Sequence, residues 1–173
     1  MRNVLVVIDM QNDFITGALA NTEGQKIVSK IADLVRNFDG DIIATRDTHT
    51  ENYLNTQEGR KLPVTHCIKG TDGWNIVPEI QAALDERNDR VTYKDKATFG
   101  SIGLADIIGR KMYDKVTLCG VCTDICVISN ALVIKTVNIE TPVEVLKDLC
   151  AGVTPESHET ALKAMQACQV DIV

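Results

Sequence analysis

The chain has 173 residues, a hydrophobic content of 45%, a charged content of 24% and a net charge of −6. These values are typical of a globular protein, and we expect residues 1–173 to form a single domain. The negative charge and the lack of a lysine or arginine cluster argue against nucleic acid and anionic membranes as partners. The longest apolar runs are also too short for a transmembrane helix.

Six cysteines occur without secretion cues, and the N-terminus leads directly into a strand-like run instead of a signal peptide. We therefore predict a cytoplasmic protein with reduced thiols and no disulfide framework. Cys119, Cys150 and Cys168 lie in apolar stretches and are expected to pack in the core, and Cys67 is expected to be structural.

Strands and helices alternate along the sequence. The runs NVLVVID, DIIAT, RVTY, KVTLC and PVEVL predict buried parallel strands, and VDIV near the end predicts a last short strand. Apolar residues recur at helical spacing at 27–38, 80–84 and 161–168, and Thr154 followed by Pro155 predicts the start of the last helix. This alternation predicts a three-layer α/β/α domain with a mostly parallel, doubly wound sheet.

Polar side chains follow each predicted strand, at the end where open parallel sheets bind their ligands. Asp9 follows the first strand, Asp47 and His49 follow the second, and Lys94 and Lys96 follow the third. An aspartate at the mouth of an apolar strand is partly desolvated, which raises its pKa and suits it to accept a proton. The alternative is an aspartate that only caps the turn after its strand.

Asp47, His49 and His66 have the side chains of first-shell ligands for zinc, manganese or iron. Glu58, on the intervening stretch, is a candidate fourth ligand. The spacing alone is equally compatible with a solvated polar loop that contains two satisfied histidines. The third histidine, His158, is expected on the surface of the last helix.

Two cysteines, Cys122 and Cys126, follow the fourth strand in the stretch VTLCGVCTDICV. Gly120 permits a sharp turn, and Thr123 as N-cap would place Cys126 in the first helical turn, where the helix dipole lowers a thiol pKa. The C-x-x-x-C spacing fits neither a zinc site nor a redox pair well. The residues therefore indicate Cys126 as the activated nucleophile, with backbone N–H groups around both cysteines as oxyanion donors.

Two segments carry a resemblance to a known family, the isochorismatase-like cysteine hydrolases, and within it to the nicotinamidases. VLVVIDMQNDF is similar to the aspartate-bearing signature of the family and GVCTDICV to its nucleophile segment, and the resemblance continues to DLCAGVTPESHETAL. It implies Asp9 as acid and base, Cys126 as nucleophile and a lysine after the third strand. Lys96 is preferred because it lies nearer the TFGS turn, and Lys94 remains an alternative.

The resemblance also implies a metal site and a backbone feature. Asp47, His49 and His66 would hold a divalent metal, with zinc favoured and manganese or iron as alternatives, and Glu58 would suit members that use another carboxylate. The peptide bond Val121–Cys122 would be cis, next to the oxyanion site. Many members have alanine at the position of Cys122, so the second thiol departs from the family pattern.

Together, the residues and the resemblance imply a metal-assisted cysteine amidohydrolase that converts nicotinamide to nicotinate and ammonia through a thioester, a reaction of NAD salvage. Its partner would be a small-molecule amide, and Phe14, Leu19 and Trp74 are candidates for lining the pocket. Family members commonly form homo-oligomers. Two alternatives remain: a family hydrolase acting on another small amide, ester or vinyl ether, and a non-catalytic binding protein.

Overall fold

The computed structural model describes residues 2–173, and its strands form a six-stranded sheet. The strands are β1 (Asn3–Ile8), β2 (Asp41–Asp47), β3 (Val91–Lys96), β4 (Lys115–Val121), β5 (Val143–Ala151) and β6 (Asp171–Ile172). All neighbouring strands are parallel, in the order β3-β2-β1-β4-β5-β6. Every strand predicted from an apolar run is therefore present, including the short one near the C-terminus.

Within residues 2–173, eight α-helices connect the strands. They are α1 (Asn12–Ile15), α2 (Thr22–Gln25), α3 (Val28–Asn37), α4 (Gln57–Lys61), α5 (Pro78–Asp85), α6 (Ile102–Lys111), α7 (Ile128–Val137) and α8 (Pro155–Ala167). Short 3₁₀ turns lie at Tyr53–Asn55, Asp72–Trp74 and Asn88–Arg90, and a π-helical turn lies at Thr123–Val127. In this part of the chain, every helix is too short or too polar to cross a bilayer.

The helices cover both faces of the sheet. Helices α3 and α5 pack on one face, and α6, α7 and α8 pack on the other, which gives the predicted three layers. Alternate side chains of a strand point to opposite faces. In β1, Val4, Val6 and Ile8 join the core under α6–α8, whereas Leu5 and Val7 join the core under α3 and α5. Because both faces are covered, the central strands are unbroken apolar runs.

The last helix begins where the sequence predicts. The Thr154 side chain accepts a hydrogen bond from the Ser157 N–H, and the Ser157 hydroxyl oxygen accepts one from the Thr154 N–H. Pro155 is the first helical residue. This capping box satisfies two donors that the helix itself leaves free. It fixes the point at which the chain leaves the sheet and enters α8.

The predictions for the core cysteines are only partly correct. Cys67, Cys119 and Cys150 are buried. The expectation that Cys168 packs in the core is wrong, because α8 ends at Ala167 and Cys168 is its exposed C-cap residue. Cys168 continues the apolar spacing of α8 in the sequence but lies one residue past the end of the helix.

Strands β1 and β4 are neighbours, although more than half of the chain separates them in the sequence. The register pairs Ile8 with Gly120, so the two strands end side by side. Gly120 has a φ of +120°, and a Cβ atom there would collide with the Ile8 carbonyl oxygen, so the close approach requires glycine. The direction of winding reverses between these strands, and open parallel sheets bind ligands at such a point.

Candidate active site

The structure brings Asp9, Lys96 and Cys126 together at the carboxyl ends of three strands. Asp9 follows β1, Lys96 ends β3, and Cys126 lies in the π-helical turn after β4. The Lys96 ammonium lies 2.6 Å from Asp9 Oδ2 and 3.5 Å from Cys126 Sγ. The three residues are only 0%, 5% and 5% exposed, respectively. A carboxylate, an ammonium and a thiol thus share one enclosed space.

The two lysines of β3 have different surroundings. Lys96, the last residue of the strand, also lies 3.6 Å from an oxygen of Asp47 in the neighbouring strand. The Lys94 ammonium instead lies beside Gly103, near the start of α6. Of the two candidates left by the sequence, Lys96 is therefore the one in contact with Asp9 and Cys126.

Burial and charge act against each other in this cluster. Burial raises the pKa of Asp9 above its usual value, and this effect outweighs the adjacent Lys96 ammonium, which lowers it. Burial lowers the pKa of Lys96, but the charges of Asp9, Cys126 and Asp47 raise it by more, so the net shift is upward. The raised pKa of Asp9 is the direction that the sequence predicts, and it suits a carboxylate that must accept a proton.

The prediction that a helix N-terminus lowers the pKa of Cys126 is wrong. Burial raises the pKa of this thiol well above its usual value, the charge of Asp9 raises it further, and Lys96 offsets only part of the effect. The thiol is therefore protonated at rest. A nucleophile in this position needs the neighbouring carboxylate as its base.

The turn that carries Cys126 also starts differently from the prediction. Its N-cap residue is Cys122 and not Thr123, and the Thr123 hydroxyl instead pairs with His158 Nδ1 at 2.7 Å. His158 is consequently half-buried and not a free surface residue. The Val121–Cys122 peptide bond is cis, as the family resemblance implies.

Four side chains next to this cluster form a candidate metal site. Asp47 ends β2, His49 follows two residues later, Glu58 lies on α4, and His66 lies in the loop after α4. One donor atom from each lies within 4.8 Å of the donor atoms of the other three. Asp47 Oδ2 is 3.0 Å from His49 Nε2 and 3.5 Å from His66 Nε2.

The chemistry of this set fits a divalent transition metal. The two imidazoles and two carboxylates are donors that zinc, manganese and iron accept. The Val64 carbonyl lies 2.8 Å from His66 Nδ1, so the Nδ1–H donates to it and the lone pair of Nε2 faces the other ligands. Burial raises the pKa of Asp47, but contacts with the rings of His49 and His66 and with the Lys96 ammonium lower it by more.

A buried glutamine, missed in the sequence, holds the first of these ligands. Gln11 is 0% exposed, its Nε2 donates to the carbonyl oxygens of Asp47 (2.8 Å) and Trp74 (2.9 Å), and its Oε1 accepts the Asp47 N–H at 2.7 Å. The side chain thus pairs with both backbone groups of Asp47, as a neighbouring strand would. The only sequence signal is a polar residue close behind β1.

A second buried amide, also missed, supports the nucleophile turn. Asn130 Nδ2 donates to the carbonyl oxygens of Cys126 (2.8 Å) and Phe99 (2.9 Å), and its Oδ1 accepts the Ser101 N–H at 3.0 Å. Asn130 therefore ties the turn after β4 to the loop after β3. Its position one turn after Cys126, in a helix of mostly apolar residues, was the available signal.

The cluster opens into a cavity of about 800 Å³. Phe14 and Leu19 line it as expected, and so do both Cys122 and Cys126. Trp74 does not line it, which corrects the prediction. Its indole N–H donates to the Thr48 hydroxyl at 2.9 Å, and its ring packs against the Arg46 guanidinium. Three candidate metal ligands, Asp47, Glu58 and His66, also line it. The remaining wall residues are mostly small or apolar, and they are residues 17–23 and 153–155 with Leu62, Phe99 and Ile125.

A family model described as the isochorismatase domain matches residues 3–173. The chain belongs to the isochorismatase family. The match spans all six strands, and therefore both the Asp9–Lys96–Cys126 cluster and the four candidate metal ligands lie inside the isochorismatase domain.

Several members of the isochorismatase family are similar to this chain over nearly its full length. The nicotinamidase/pyrazinamidase of Mycobacterium tuberculosis is 28% identical over 185 residues, which covers 98% of this chain and 97% of the relative. The crystal structure of the pyrazinamidase/nicotinamidase of Streptococcus mutans has a TM-score of 0.87, 27% identity and 99% coverage of both chains. The pyrazinamidase of Pyrococcus horikoshii, solved in complex with zinc, has a TM-score of 0.80, 30% identity and coverage of 100% of this chain and 99% of that one.

Proposed function

We propose that this protein is a metal-assisted cysteine amidohydrolase that converts nicotinamide to nicotinate and ammonia. One observation carries the proposal: Cys126 lines the same cavity as three of the four candidate metal ligands, Asp47, Glu58 and His66, and Lys96 joins Cys126 to the buried Asp9. The similarity to nicotinamidases over nearly the full length supports the substrate. In this proposal residues 1–173 act as one catalytic domain.

The reaction begins with proton transfer from Cys126 to Asp9. The S–H electron pair stays on sulfur, and the new thiolate attacks the amide carbon to form a tetrahedral intermediate. The Lys96 ammonium, 3.5 Å from the sulfur and 2.6 Å from Asp9, stabilises the thiolate when it forms. Asp9 then gives the proton to the departing nitrogen, so that ammonia leaves and a thioester remains on Cys126.

The same two side chains complete the cycle. Asp9, now ionised, accepts a proton from a water molecule, whose oxygen attacks the thioester carbon. The carbon–sulfur bond breaks, Asp9 returns its proton to the Cys126 sulfur, and the second proton of the water is released to solvent as the acid leaves as nicotinate. Asp9 is thus acid and base in turn, and this double role requires the raised pKa that burial gives it.

Backbone N–H groups would stabilise the oxyanion of the tetrahedral intermediates. The N–H groups of Ile125 and Val127 both donate to the Cys122 carbonyl, at 3.1 and 3.0 Å, and are therefore used within the turn. The proposal assigns the oxyanion to the N–H groups of Cys122 and Cys126, next to the cis bond at Val121. Such donors contribute about 3–4 kcal/mol each in comparable sites.

Asp47, His49, Glu58 and His66 would hold the metal ion. When bound, a divalent ion supplies a Lewis acid for a ring nitrogen of the substrate. We propose zinc, because two nitrogen and two oxygen donors suit it and because the pyrazinamidase of Pyrococcus horikoshii was solved with zinc. Phe14 and Leu19 would contact the ring from the cavity wall.

We also propose a pathway, a cell compartment and an oligomeric state for this protein. Nicotinate production would place it in NAD salvage, and six free thiols suit a reducing cytoplasm. We also propose a homo-oligomer, as the family resemblance implies. Light scattering of the purified protein measures the oligomeric state directly.

The nucleophile is tested by replacing Cys126 with alanine. The variant is expected to fold and to retain its metal, yet to release no detectable ammonia from nicotinamide. Cys168→Ala, at an exposed thiol outside the cavity, is the matched control and should retain full activity. Turnover by Cys126→Ala would refute the assignment.

The metal site is tested by replacing His49 with alanine. Elemental analysis is expected to find the metal reduced to a small fraction of its wild-type content, and the KM for nicotinamide should rise. His158→Ala removes a histidine outside the four-residue group and should leave the metal content unchanged. Full metal occupancy in His49→Ala would show that the ligand set is wrong.

The substrate is tested by measuring ammonia release from a panel of small amides with and without a chelator. Nicotinamide is expected to give the highest kcat/KM, and the chelator should reduce it. A cavity of about 800 Å³ exceeds the volume of one pyridine ring, which keeps larger amides in the panel as the second candidate class. Higher kcat/KM for another amide, without chelator sensitivity, would favour the metal-free branch of the family.

A further inference from the structure

A threonine on β2 makes two hydrogen bonds to Asp9. Thr45 is 1% exposed, and its hydroxyl lies 2.6 Å from Asp9 Oδ1 and 3.1 Å from the Asp9 backbone nitrogen. Asp9 has a φ of +48°, a region that few residues other than glycine adopt, and so its conformation needs support from its neighbours. One side chain therefore contacts both the backbone and the carboxylate of the proposed acid and base.

The direction of these hydrogen bonds is fixed. The Asp9 N–H can only donate, so the Thr45 oxygen accepts from it. The one hydroxyl proton of Thr45 is then directed at Asp9 Oδ1, which accepts it. A proton placed on Oδ1 would compete with this hydroxyl proton for the electron density of Oδ1 and would weaken the hydrogen bond.

The second carboxylate oxygen of Asp9 has different surroundings. Asp9 Oδ2 forms the 2.6 Å ion pair with Lys96 and has no further hydrogen-bond partner among residues 2–173. The same ammonium lies 3.5 Å from Cys126 Sγ, so Oδ2 is the oxygen on the side of the nucleophile. Oδ1 thus accepts from Thr45 on β2, whereas Oδ2 lies beside the ammonium that also contacts the thiol.

We propose that Thr45 is a positioning residue that reserves Oδ1 of Asp9 for its own hydroxyl and leaves Oδ2 as the oxygen that exchanges the proton with Cys126. In this step the S–H bond breaks, the O–H bond to Oδ2 forms, and the electron pair stays on sulfur beside the Lys96 ammonium. The inference rests on the proposed function, since it assigns a role within that reaction. It adds a residue and an atom to the proton transfer.

The hydroxyl is tested by the pair Thr45→Val and Thr45→Ser. Valine keeps the branched shape and removes the hydroxyl, so kcat for ammonia release is expected to fall about 10- to 100-fold with KM within about threefold of wild type. Serine keeps the hydroxyl and should retain a kcat within about fivefold of wild type. Both variants should retain the wild-type metal content, which shows that Asp47, two residues away, is undisturbed.

The matched control is Thr117→Val. Thr117 is a buried strand threonine whose hydroxyl also donates to a carboxylate, Glu144, at 2.7 Å, but it lies in the part of β4 remote from the cavity. This control is expected to keep the wild-type kcat. If Thr45→Val does not fold, Thr45→Ala replaces it with the same expected loss.

A second readout separates this inference from the proposed function. Alkylation of Cys126 by iodoacetamide at neutral pH, followed by peptide mass spectrometry, reports removal of the thiol proton without any substrate. Alkylation is expected to slow about tenfold or more in Thr45→Val and to stay near the wild-type rate in Thr45→Ser and Thr117→Val. Wild-type alkylation rates in Thr45→Val, or equal losses in Thr45→Val and Thr45→Ser, would overturn the role of Thr45. Failure of wild-type protein to hydrolyse nicotinamide would overturn only the substrate.

Discussion

Replacing Gln11 by methionine removes the amide that pairs with the backbone of Asp47 while it preserves the length and much of the volume of the side chain. The change deletes three hydrogen bonds of 2.7–2.9 Å at a side chain that is 0% exposed. The N–H and carbonyl of Asp47 then have no partner at this contact. Packing is nearly unchanged, so the loss of hydrogen bonds dominates the effect.

The expected loss of stability follows from the groups left unpaired. Each buried backbone group without a partner costs about 1–3 kcal/mol. The two Asp47 groups are buried, and the Trp74 carbonyl is partly exposed and contributes less. We expect a total loss of about 3–5 kcal/mol, which for a chain of this length lowers Tm by roughly 6–20 °C. Because Asp47 is a proposed metal ligand, zinc affinity should also fall about 10- to 100-fold.

Urea denaturation of the metal-free protein measures the free energy of unfolding, and competition with a chromogenic chelator measures zinc affinity. Gln81→Met is the matched control, because Gln81 makes its hydrogen bonds on the surface of α5, and it should change stability by less than about 0.5 kcal/mol. A loss below about 1 kcal/mol in Gln11→Met, with unchanged zinc affinity, would refute the reasoning.

Three further changes test the fold around the site. Gly120→Ala puts a Cβ against the backbone of β1 at a φ of +120°, and thermal unfolding should reveal a loss above about 3 kcal/mol or no folded protein. Thr154→Ala opens the capping box of α8 and should cost about 1–2 kcal/mol in urea denaturation, whereas a change near zero would contradict its role. Partial burial raises the pKa of Asp41, but the hydroxyl of Tyr113 and two nearby cations lower it by more, so the net pKa lies below its usual value. The hydrogen bond from Tyr113 to ionised Asp41 therefore stabilises the folded protein above the usual carboxyl pKa, and this stabilisation is lost as pH falls. The stability difference between wild type and Tyr113→Phe should be about 1 kcal/mol at pH 7 and should shrink below about pH 4.

Most of the fold could be predicted from the sequence because the central strands are buried on both faces. A strand with apolar neighbours above and below becomes an unbroken run such as NVLVVI, and the polar residue that follows it marks its carboxyl end. Asp9, Asp47 and Lys96 were found in this way, because parallel strands end at one edge of the sheet. The strand order, in contrast, depends on long-range pairing and left no local signal.

The details of the site were harder to predict, because they depend on contacts between distant segments. The pKa of Cys126 is governed by burial and by a carboxylate more than one hundred residues away, and these outweigh the local helix terminus. Trp74 is among the residues predicted to line the pocket, yet its indole N–H donates to the Thr48 hydroxyl and it lies outside the cavity wall. Gln11 and Asn130 act through their backbone partners, and single polar residues give no periodicity from which such partners can be inferred.

The reacting residues Asp9 and Cys126 follow the adjacent strands β1 and β4, whereas the residues that would select the substrate come from other segments. Because Asp9 and the turn with Cys126 leave neighbouring strands, the spacing of hydrogen-bonded strands, about 4.8 Å, sets their separation. The cavity wall comes largely from residues 17–23 and 153–155, which lie outside the strands. Insertions or exchanges in these two stretches can therefore change which molecules enter while the reacting atoms stay in register, and in evolution or in the laboratory one scaffold can acquire new selectivity without a new reaction centre.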